Sequence, residues 1–394
     1  MAVETFHARH RSMLERLSSD EFIRELIDRH ADHFGIEAGR PWRREWDRIP
    51  FPHPAELEDP SLQALVLVTI VGESRTLCTL EIGFGGRRDR DVGSVLLRRF
   101  PDDSSLCTLG ELIEEDRGLR VVRYRPNKRC TMQTDRDGGV FVKVFADDRG
   151  WRLHHDGTVL WNAAKDGVLD FAVSEPLRYD NSKLSYSQRT VPGEGLTARL
   201  FEDDGHVLAY RIGAASASIP SSGLKPSENH GPDKELARSR RRARELQELV
   251  PSLQPQLDRL VRQLDALHAR FDERRLLPIH GSPHPNQWLL HASGLGLVDF
   301  DRLALGDPEL DVATFTTEVE FESADTRWDV MEEFERGYRD RYGDLDSKRL
   351  LAYESHKRLA KVYRTARAIR PFGDERANEL LNGALETLMD SADR

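Results

Sequence analysis

The sequence predicts an α+β protein of two lobes, in which an antiparallel-sheet lobe precedes a mainly helical one. Strand-like apolar runs lie in the first half of the chain, most clearly at 118–145, where three such runs alternate with turn residues. Helical spacing of apolar residues prevails in the second half and is clearest at 251–271. Between 276 and 301, two short apolar runs each end in a polar loop, which predicts a small sheet that carries functional groups.

Residues 1–117 are predicted to form an extension of helix and strands that packs on the sheet lobe. Apolar residues in 3–35 recur at mixed three- and four-residue spacings, which predicts a helix. A Pro- and Trp-rich connector follows it. Residues 64–71, 77–84 and 93–100 are then rich in the apolar and β-branched residues that are typical of strands.

Residues 118–190 are predicted to form the sheet lobe. A three-stranded meander is expected at 118–145, with turns at Asn127–Lys128 and at 137–139. A helix is expected over 147–164, and more strand-like sequence runs through 171–191. Proline and glycine at 192–193 then interrupt regular structure.

Residues 191–394 are predicted to form the helical lobe. The segment 214–232 is rich in Ser, Pro, Gly and Ala, which predicts an exposed loop. Two helices follow, of which the second is the amphipathic segment 251–271. Asp307 and Pro308 have the pattern of a helix start, with Asp307 as the N-cap, and we expect mostly helix from there to the end.

The composition limits the expected partners and setting. A net charge of −10 argues against general nucleic-acid binding. The sequence has no apolar run of membrane-spanning length and no signal-peptide pattern near its start, so we expect no membrane partner. The three cysteines are widely spaced and form no CxxC pair, which is typical of a cytoplasmic protein.

Two acidic residues follow the last apolar run of the two-loop segment. Asp299 and Asp301 flank Phe300, and alternating side chains place both carboxylates on one side of an extended segment. Both can then approach one metal ion, since Mg²⁺ favours one or two carboxylates together with phosphate oxygens. Taken alone, the same pattern also fits a solvated acidic turn.

A lysine stands inside the last strand of the predicted meander. Lys143 lies among apolar neighbours in FVKVF, where its ammonium group is costly unless it meets an anion. An edge lysine that faces water is the alternative interpretation.

The segment 280–313 resembles the phosphoryl-transfer site of the aminoglycoside phosphotransferase and choline kinase-like families. Those families carry HGDxHPxN, then DxD and GDPxxD, where this chain has HGSPHPNQ, DFD and GDPELD. RYRPNKR at 123–129 and PGEGL at 192–196 are similar to further patterns of these proteins. Ser282 departs from the family pattern, because it stands at the position of the catalytic aspartate.

The resemblance implies a two-lobed protein-kinase-like fold, with the nucleotide-binding sheet at 118–190. It implies an ATP- and Mg²⁺-dependent phosphotransferase whose acceptor is a hydroxyl of a small molecule or of a peptide Ser or Thr. The family positions assign Lys143, Lys128 and Arg129 to the phosphates, backbone groups near Arg189 and Val191 to the adenine, and Asp299, Gln287 and Asp301 to the metal.

The resemblance does not decide which residue of the loop at 280–287 acts as the catalytic base. It implies that His280 braces the loop by hydrogen bonding and that Asp311 ties the next helix to it. Ser282 cannot accept a proton as a carboxylate does, and loss of a positioned base costs on the order of 10²–10⁴-fold in rate. His284 either replaces that base or makes a structural hydrogen bond.

Further alternatives concern the partners of charged groups. The nucleotide lysine of kinases pairs with a helix glutamate, but 147–165 contains none, so Asp156 is the available candidate. The basic run 238–244 either is a solvated helix face or binds an acidic substrate or peptide. The acidic residues of 318–325 either are solvated or attract a cationic substrate.

Three functions are consistent with these patterns. An active phosphotransferase agrees with the intact DFD, Gln287, Lys143 and GDPELD. A pseudokinase, which binds nucleotide or a partner protein without turnover, agrees with Ser282. A nucleotidyl transferase on the same fold is the third hypothesis.

Overall fold

The structure, a computed structural model, describes residues 16–32, 39–48, 62–70, 76–84, 94–322, 328–366 and 382–383. Antiparallel sheets occupy its N-terminal part and helices most of its C-terminal part, which confirms the predicted fold class. Among the helices of these residues, none is both long and apolar enough to cross a membrane.

An N-terminal sheet has four antiparallel strands in the order β1-β2-β3-β4. Helix α1 covers one face of it through Ile23 and Leu26, whereas the predicted helical residues 3–15 and 33–35 lie outside the described residues. The last three strands confirm the prediction, but β1 falls in the connector, where the sequence indicates no strand. The bounds are Asp20–His30 (α1), Trp42–Arg48 (β1), Leu62–Ile70 (β2), Thr76–Phe84 (β3) and Ser94–Arg99 (β4).

A second sheet has five antiparallel strands in the order β5-β6-β7-β9-β8. It confirms the predicted meander, its turns and the helix that follows it. Met132 and Val144 of this sheet share a hydrophobic cluster with Leu67 of β2, so the two sheets pack on each other. The bounds are Leu109–Glu115 (α2), Arg120–Arg125 (β5), Arg129–Thr134 (β6), Val140–Phe145 (β7), Arg149–Lys165 (α3), Pro176–Asp180 (β8) and Ser185–Arg189 (β9).

The helical lobe begins with a short strand and three helices, and here the predicted loop at 214–232 is wrong in its first part. The helices Gly205–Ser216 (α5) and Ser218–Ser221 (α6) extend to residue 221, and most residues from 215 to 220 are buried. Small residues serve close packing, because a Cβ at Gly213 would overlap the carbonyl oxygen of Phe334 in a neighbouring helix. The two preceding elements are Glu194–Gly195 (β10) and Thr197–Leu200 (α4).

Three long helices of this lobe form a hydrophobic cluster of their own. Leucines of the predicted amphipathic segment lie in it, and burial of each stabilises the fold by about 1.5–3 kcal/mol. The three helices are Pro232–Leu249 (α7), Gln254–His268 (α8) and Ser347–Ala366 (α11), and the two that join the larger core are Glu309–Glu322 (α9) and Trp328–Tyr342 (α10).

Two small three-stranded sheets carry the polar loops predicted from the sequence. Their orders are β10-β13-β14 and β11-β15-β12. The loops 280–287 and 298–303 leave these sheets side by side, as expected. The bounds are Asn229–His230 (β11), Leu277–Ile279 (β12), Trp288–His291 (β13), Gly294–Leu297 (β14) and Ala304–Gly306 (β15).

Asp307 differs from its predicted role as the N-cap of α9. Its buried carboxylate accepts hydrogen bonds from Arg274, Arg349 and Tyr353 at 3.0, 2.6 and 2.7 Å. The residue therefore joins the start of α9 to α11, because three long-range donors compete successfully for its two oxygens.

Candidate active site

The loop 298–303 meets the sheet lobe at Lys143. Its ammonium nitrogen lies 2.6 Å from Oδ1 of Asp301 and 3.4 Å from Oδ1 of Asp299. The register of β7 between β6 and β9 points this side chain out of the sheet toward the loop, and the residue is only 8% exposed. A buried ammonium group thus meets carboxylates, as its apolar sequence context requires.

Arg129 is a second cation on the same pair of acids. Its Nη1 forms an ion pair with Oδ2 of Asp301. Burial opposes ionisation of Asp299, but the charges of Lys143 and Arg129 outweigh it and hold the pKa of Asp299 below its usual range. The carboxylate is therefore ionised at neutral pH, which metal binding and ion pairing both require.

Gln287 lies beside Asp299, but its amide turns the NH₂ group, and not the carbonyl oxygen, toward this carboxylate. Its carbonyl oxygen accepts the backbone N–H of His284 at 2.8 Å, and its NH₂ group faces Oδ2 of Asp299 at 3.3 Å. The N–H of His284 needs an acceptor, which fixes the orientation of the amide. In this rotamer Gln287 orients Asp299, and only the second lone pair of its carbonyl oxygen is left for a metal.

The loop that begins at His280 is tied down from two directions. The backbone N–H groups of His280 and Gly281 each donate to Asp311 of α9 at 2.7 Å. Nε2 of His280 lies 3.2 Å from the carbonyl oxygen of Val298, which connects the two loops. Burial lowers the pKa of His280 to about 4, so the ring is neutral and can donate this hydrogen bond.

Ser282 belongs to a chain of three side chains. Its Oγ lies 2.8 Å from Nε2 of His284, and Nδ1 of His284 lies 3.4 Å from Oε1 of Glu318 in α9. Glu318 also binds Lys361 at 2.6 Å and Arg364 at 2.8 Å. With Nδ1–H directed at Glu318, Nε2 is free to accept a proton from a hydroxyl, the order of groups that activates nucleophiles elsewhere.

Of the acids in 318–325 that the structure describes, two are paired with cations and the third, Glu322, is exposed. Glu318 is paired as above, and Glu320 binds Arg358 at 3.0 Å. The role of Glu318 behind His284 is absent from the sequence reasoning, because 34 positions separate the two residues and no local pattern connects them.

A cavity of about 410 Å³, including the solvent at its mouth, opens between the sheet, α3 and the loop 298–303. Lys143, Asp299 and Asp301 form its polar end. The sequence did not single out Val173, Ser174 and Gln188, which line its wall. Asp156 also lines the cavity. The sequence predicts that its carboxylate pairs with Lys143, but in the structure it binds Ser227.

Three further predicted residues are not among those that line this cavity. Lys128 is exposed at the turn between β5 and β6. The side chain of Arg189 pairs with Glu175 at 2.9 Å, and Val191 is buried against Gly296. Strand β9 thus contributes Gln188 to the cavity wall. The side chains of Arg189 and Val191 point elsewhere, whereas the predicted adenine contact concerns their backbone groups.

Comparison with known proteins agrees with this geometry. The model of the phosphotransferase enzyme family matches residues 132–359, more than half of the chain. No curated protein matches the sequence.

Solved structures of low sequence identity have the same fold. Choline kinase from Streptococcus pneumoniae is 16% identical, with 72% of this chain and 98% of that chain covered and a TM-score of 0.51. A thermostable mutant of aminoglycoside phosphotransferase APH(4)-Ia is 16% identical, with 72% and 99% covered and a TM-score of 0.52. The same phosphotransferase in its D198A form, in ternary complex with ADP and hygromycin B, is 17% identical, with 71% and 96% covered and a TM-score of 0.50.

The similarity to these structures shows the fold, and the match of the family model shows the family. The protein belongs to the phosphotransferase enzyme family and has its two-lobed kinase-like fold.

Proposed function

We propose that the protein transfers the γ-phosphoryl group of ATP to a hydroxyl of a small molecule, with Mg²⁺ as cofactor. The observation that carries this proposal is the contact of Lys143 with Asp299 and Asp301. Phosphoryl transfer needs cations for the phosphates, carboxylates for the metal and a group that orients the hydroxyl. Lys143 and the two acids line one cavity, and Ser282 lies in the neighbouring loop, which Gln287 joins to Asp299. The ADP complex of a structural neighbour supports nucleotide as the donor.

The donor set fits Mg²⁺. Asp299 and Asp301 offer hard oxygen ligands in one loop, and Mg²⁺ is usually held by one or two carboxylates and completed by phosphate oxygens and water. When bound, the ion neutralises charge on the β- and γ-phosphates. Lys143 and Arg129, which hold the two acids here, are placed to bind those phosphates.

The acceptor hydroxyl is oriented by Ser282 and deprotonated through His284. A bond forms between the acceptor oxygen and the γ-phosphorus while the bond from that phosphorus to the bridging oxygen of ADP breaks. The acceptor proton passes to Ser282 Oγ, whose own proton passes to Nε2 of His284. Glu318 then stabilises the charged imidazolium, the part that a buried acid has in other catalytic triads.

Phosphoryl transfer is tested with purified protein, Mg²⁺, radiolabelled ATP and a panel of small alcohols. Asp299→Ala should lower transfer at least about 100-fold, because it removes the ionised metal ligand. Asp344→Ala, an exposed acid in the loop before α11, is the matched control and should transfer as the wild type does. Transfer that survives in Asp299→Ala would contradict the assignment.

A pseudokinase is the second candidate, because Ser282 replaces the usual carboxylate. Ser282→Asp distinguishes the two. If the wild type binds ATP without transfer and Ser282→Asp gains transfer, the protein is a pseudokinase. Transfer by the wild type rejects that candidate.

A further inference from the structure

The turn between β5 and β6 directly precedes Arg129, the cation that pairs with Asp301. Arg125 faces Arg129 across the hairpin, and Asn127 at its tip has a φ of 60°, in the left-handed region. The segment 123–129 contains no glycine, and any other residue is strained in that region unless its neighbours hold it there. The contacts that hold Asn127 in this conformation therefore help to determine where Arg129 lies.

Asp103, in the segment between β4 and α2, makes the first of these contacts. Its Oδ2 accepts the backbone N–H of Asn127 at 2.8 Å and the hydroxyl of Tyr124 at 2.7 Å. Its Oδ1 accepts the backbone N–H groups of Ser105 and Leu106 at 2.9 and 3.1 Å. Because the residue is only 4% exposed, water cannot readily replace these donors. The carboxylate is therefore fixed between its own loop and the turn.

Glu81 in β3 makes the second contact. Its Oε1 accepts hydrogen bonds from Nδ2 of Asn127 and from Nε of Arg98 in β4, each at 3.2 Å. Asn127 is thus held twice, through its backbone N–H by Asp103 and through its side-chain amide by Glu81. Both acids belong to the predicted N-terminal extension at 1–117, and both act on a turn of the predicted sheet lobe.

Strand pairing connects the turn to the polar end of the cavity. The carbonyl oxygen of Lys128 accepts the N–H of Ala146 at 3.1 Å, just after β7 ends. Arg129 is the first residue of β6, and its Nη1 pairs with Oδ2 of Asp301. Lys143 of the adjacent strand β7 reaches Oδ1 of the same carboxylate at 2.6 Å. Displacement of the turn would therefore withdraw one of the two cations that meet Asp301.

We propose that Asp103 and Glu81 are positioning residues of the ATP site, which hold the turn 125–129 so that Arg129 reaches the phosphates. The N-terminal extension is then a working part of this site. Neither acid binds the nucleotide itself, since its negative charge would repel a phosphate. Both act through their hydrogen bonds to Asn127. The role of Arg129 at the phosphates rests on the proposed function, whereas the contacts that hold the turn do not.

Calorimetric titration of the full chain with ATP and Mg²⁺ tests the proposal, and adenosine serves as the ligand without phosphates. Asp103→Asn should weaken ATP binding about tenfold or more, because an amide cannot accept from all four donors of this carboxylate. Its affinity for adenosine should stay within about twofold of the wild type, since Arg129 meets only the phosphates.

Glu81 offers a milder pair of variants, because its side chain is 27% exposed and the fold should tolerate its loss. Glu81→Ala removes one acceptor of Asn127 and should weaken ATP binding about 3- to 10-fold. Glu81→Gln keeps a carbonyl oxygen for the amide of Asn127 and should recover most of the lost affinity. If Asp103→Asn does not fold, these two variants decide the question.

Asp135→Asn is the matched control, and a double-mutant cycle shows whether Asp103 acts through Arg129. Asp135 follows β6 at the opposite end of the hairpin and pairs there with Arg120 at 2.7 Å, with both side chains exposed. Its variant should bind ATP as the wild type does. In Arg129→Gln, the further change Asp103→Asn should weaken ATP binding less than about twofold, because the group that it positions is gone.

Unchanged ATP affinity in Asp103→Asn and Glu81→Ala would overturn the inference. An equal loss of ATP and adenosine affinity would also overturn it, as would an undiminished effect of Asp103→Asn in the Arg129→Gln background, because both indicate a role in the fold alone. ATP binding that depends on Asp103 in a protein without transfer supports the inference and rejects the proposed function. Transfer by the wild type with unchanged ATP affinity in the variants supports the function and rejects the inference.

Discussion

Each side chain near Ser282 restricts what its neighbour can do. His284 lies between the hydroxyl of Ser282 and the carboxylate of Glu318, so its two ring nitrogens have different partners. Burial opposes ionisation of Glu318, but His284, Arg364 and Lys361 hold its pKa below the usual range. A permanent anion behind the ring favours a proton on Nδ1 and leaves Nε2 as an acceptor. In the proposed mechanism, an imidazole from the same loop takes the part of the missing aspartate.

His284→Gln tests this replacement. We expect kcat to fall on the order of 10²–10⁴-fold, because the variant lacks a proton acceptor beside Ser282, while KM for ATP stays within about twofold. Steady-state kinetics with the best acceptor measure both quantities. His291→Gln, in the hairpin between β13 and β14, is the matched control and should leave kcat unchanged. An unchanged kcat in His284→Gln would restrict His284 to a structural hydrogen bond.

At the scale of elements, close packing of two helices accounts for a segment whose composition predicts a loop. The predicted loop at 214–232 begins inside α5, and this helix crosses α10 at backbone distance. Gly213 and Gly337 each face a carbonyl oxygen of the other helix. Composition cannot separate the two cases, because small residues favour both turns and tight helix packing.

Three helices of the lobe are joined through His356. Its Nδ1 lies 2.7 Å from Oγ of Ser239 in α7, and its Nε2 lies 2.9 Å from Nε2 of His268 in α8. Burial lowers the pKa of His356 to about 3 and that of His268 to about 4. The folded state thus keeps both rings neutral at pH values where the unfolded state takes up protons.

Acid should therefore weaken the fold below the ordinary histidine pKa. Stability is unaffected by these rings above about pH 6.5 and falls between about pH 6.5 and 4, by up to about 1.4 kcal/mol per pH unit for each ring. Urea unfolding at pH 7, 6 and 5 measures the slope. His356→Gln should be less stable at pH 7 but less dependent on pH. His155→Gln, an exposed control, should keep the wild-type slope, and an equal slope in both variants would contradict the prediction.

At the scale of the whole molecule, Lys143 connects the two lobes. It lies in the sheet, and its carboxylate partners are 156 and 158 residues later in the chain. The same contact brings the cation that we propose for the phosphates to the acids that we propose for the metal.

Lys143→Met should weaken ATP binding about 10- to 100-fold, because a charge-assisted hydrogen bond to phosphate is lost and two carboxylates stay less neutralised. Calorimetric titration with ATP and Mg²⁺ measures the change. Lys165→Met, at the exposed end of α3, should bind ATP as the wild type does. Equal affinity in the two variants would show that Lys143 serves only to join the lobes.

The sequence by itself determined the order of sheet and helices, the two polar loops, and Lys143, Asp299 and Asp301 as charged groups of one site. These follow from periodicity and from local motifs, which neighbouring residues express. Only the tertiary structure decided which partners they meet. Glu318 behind His284 and the contacts of Lys143 with Asp299 and Asp301 depend on elements that are distant in the chain. Contacts between such elements are selected by packing of the whole core and leave no periodic trace in the sequence.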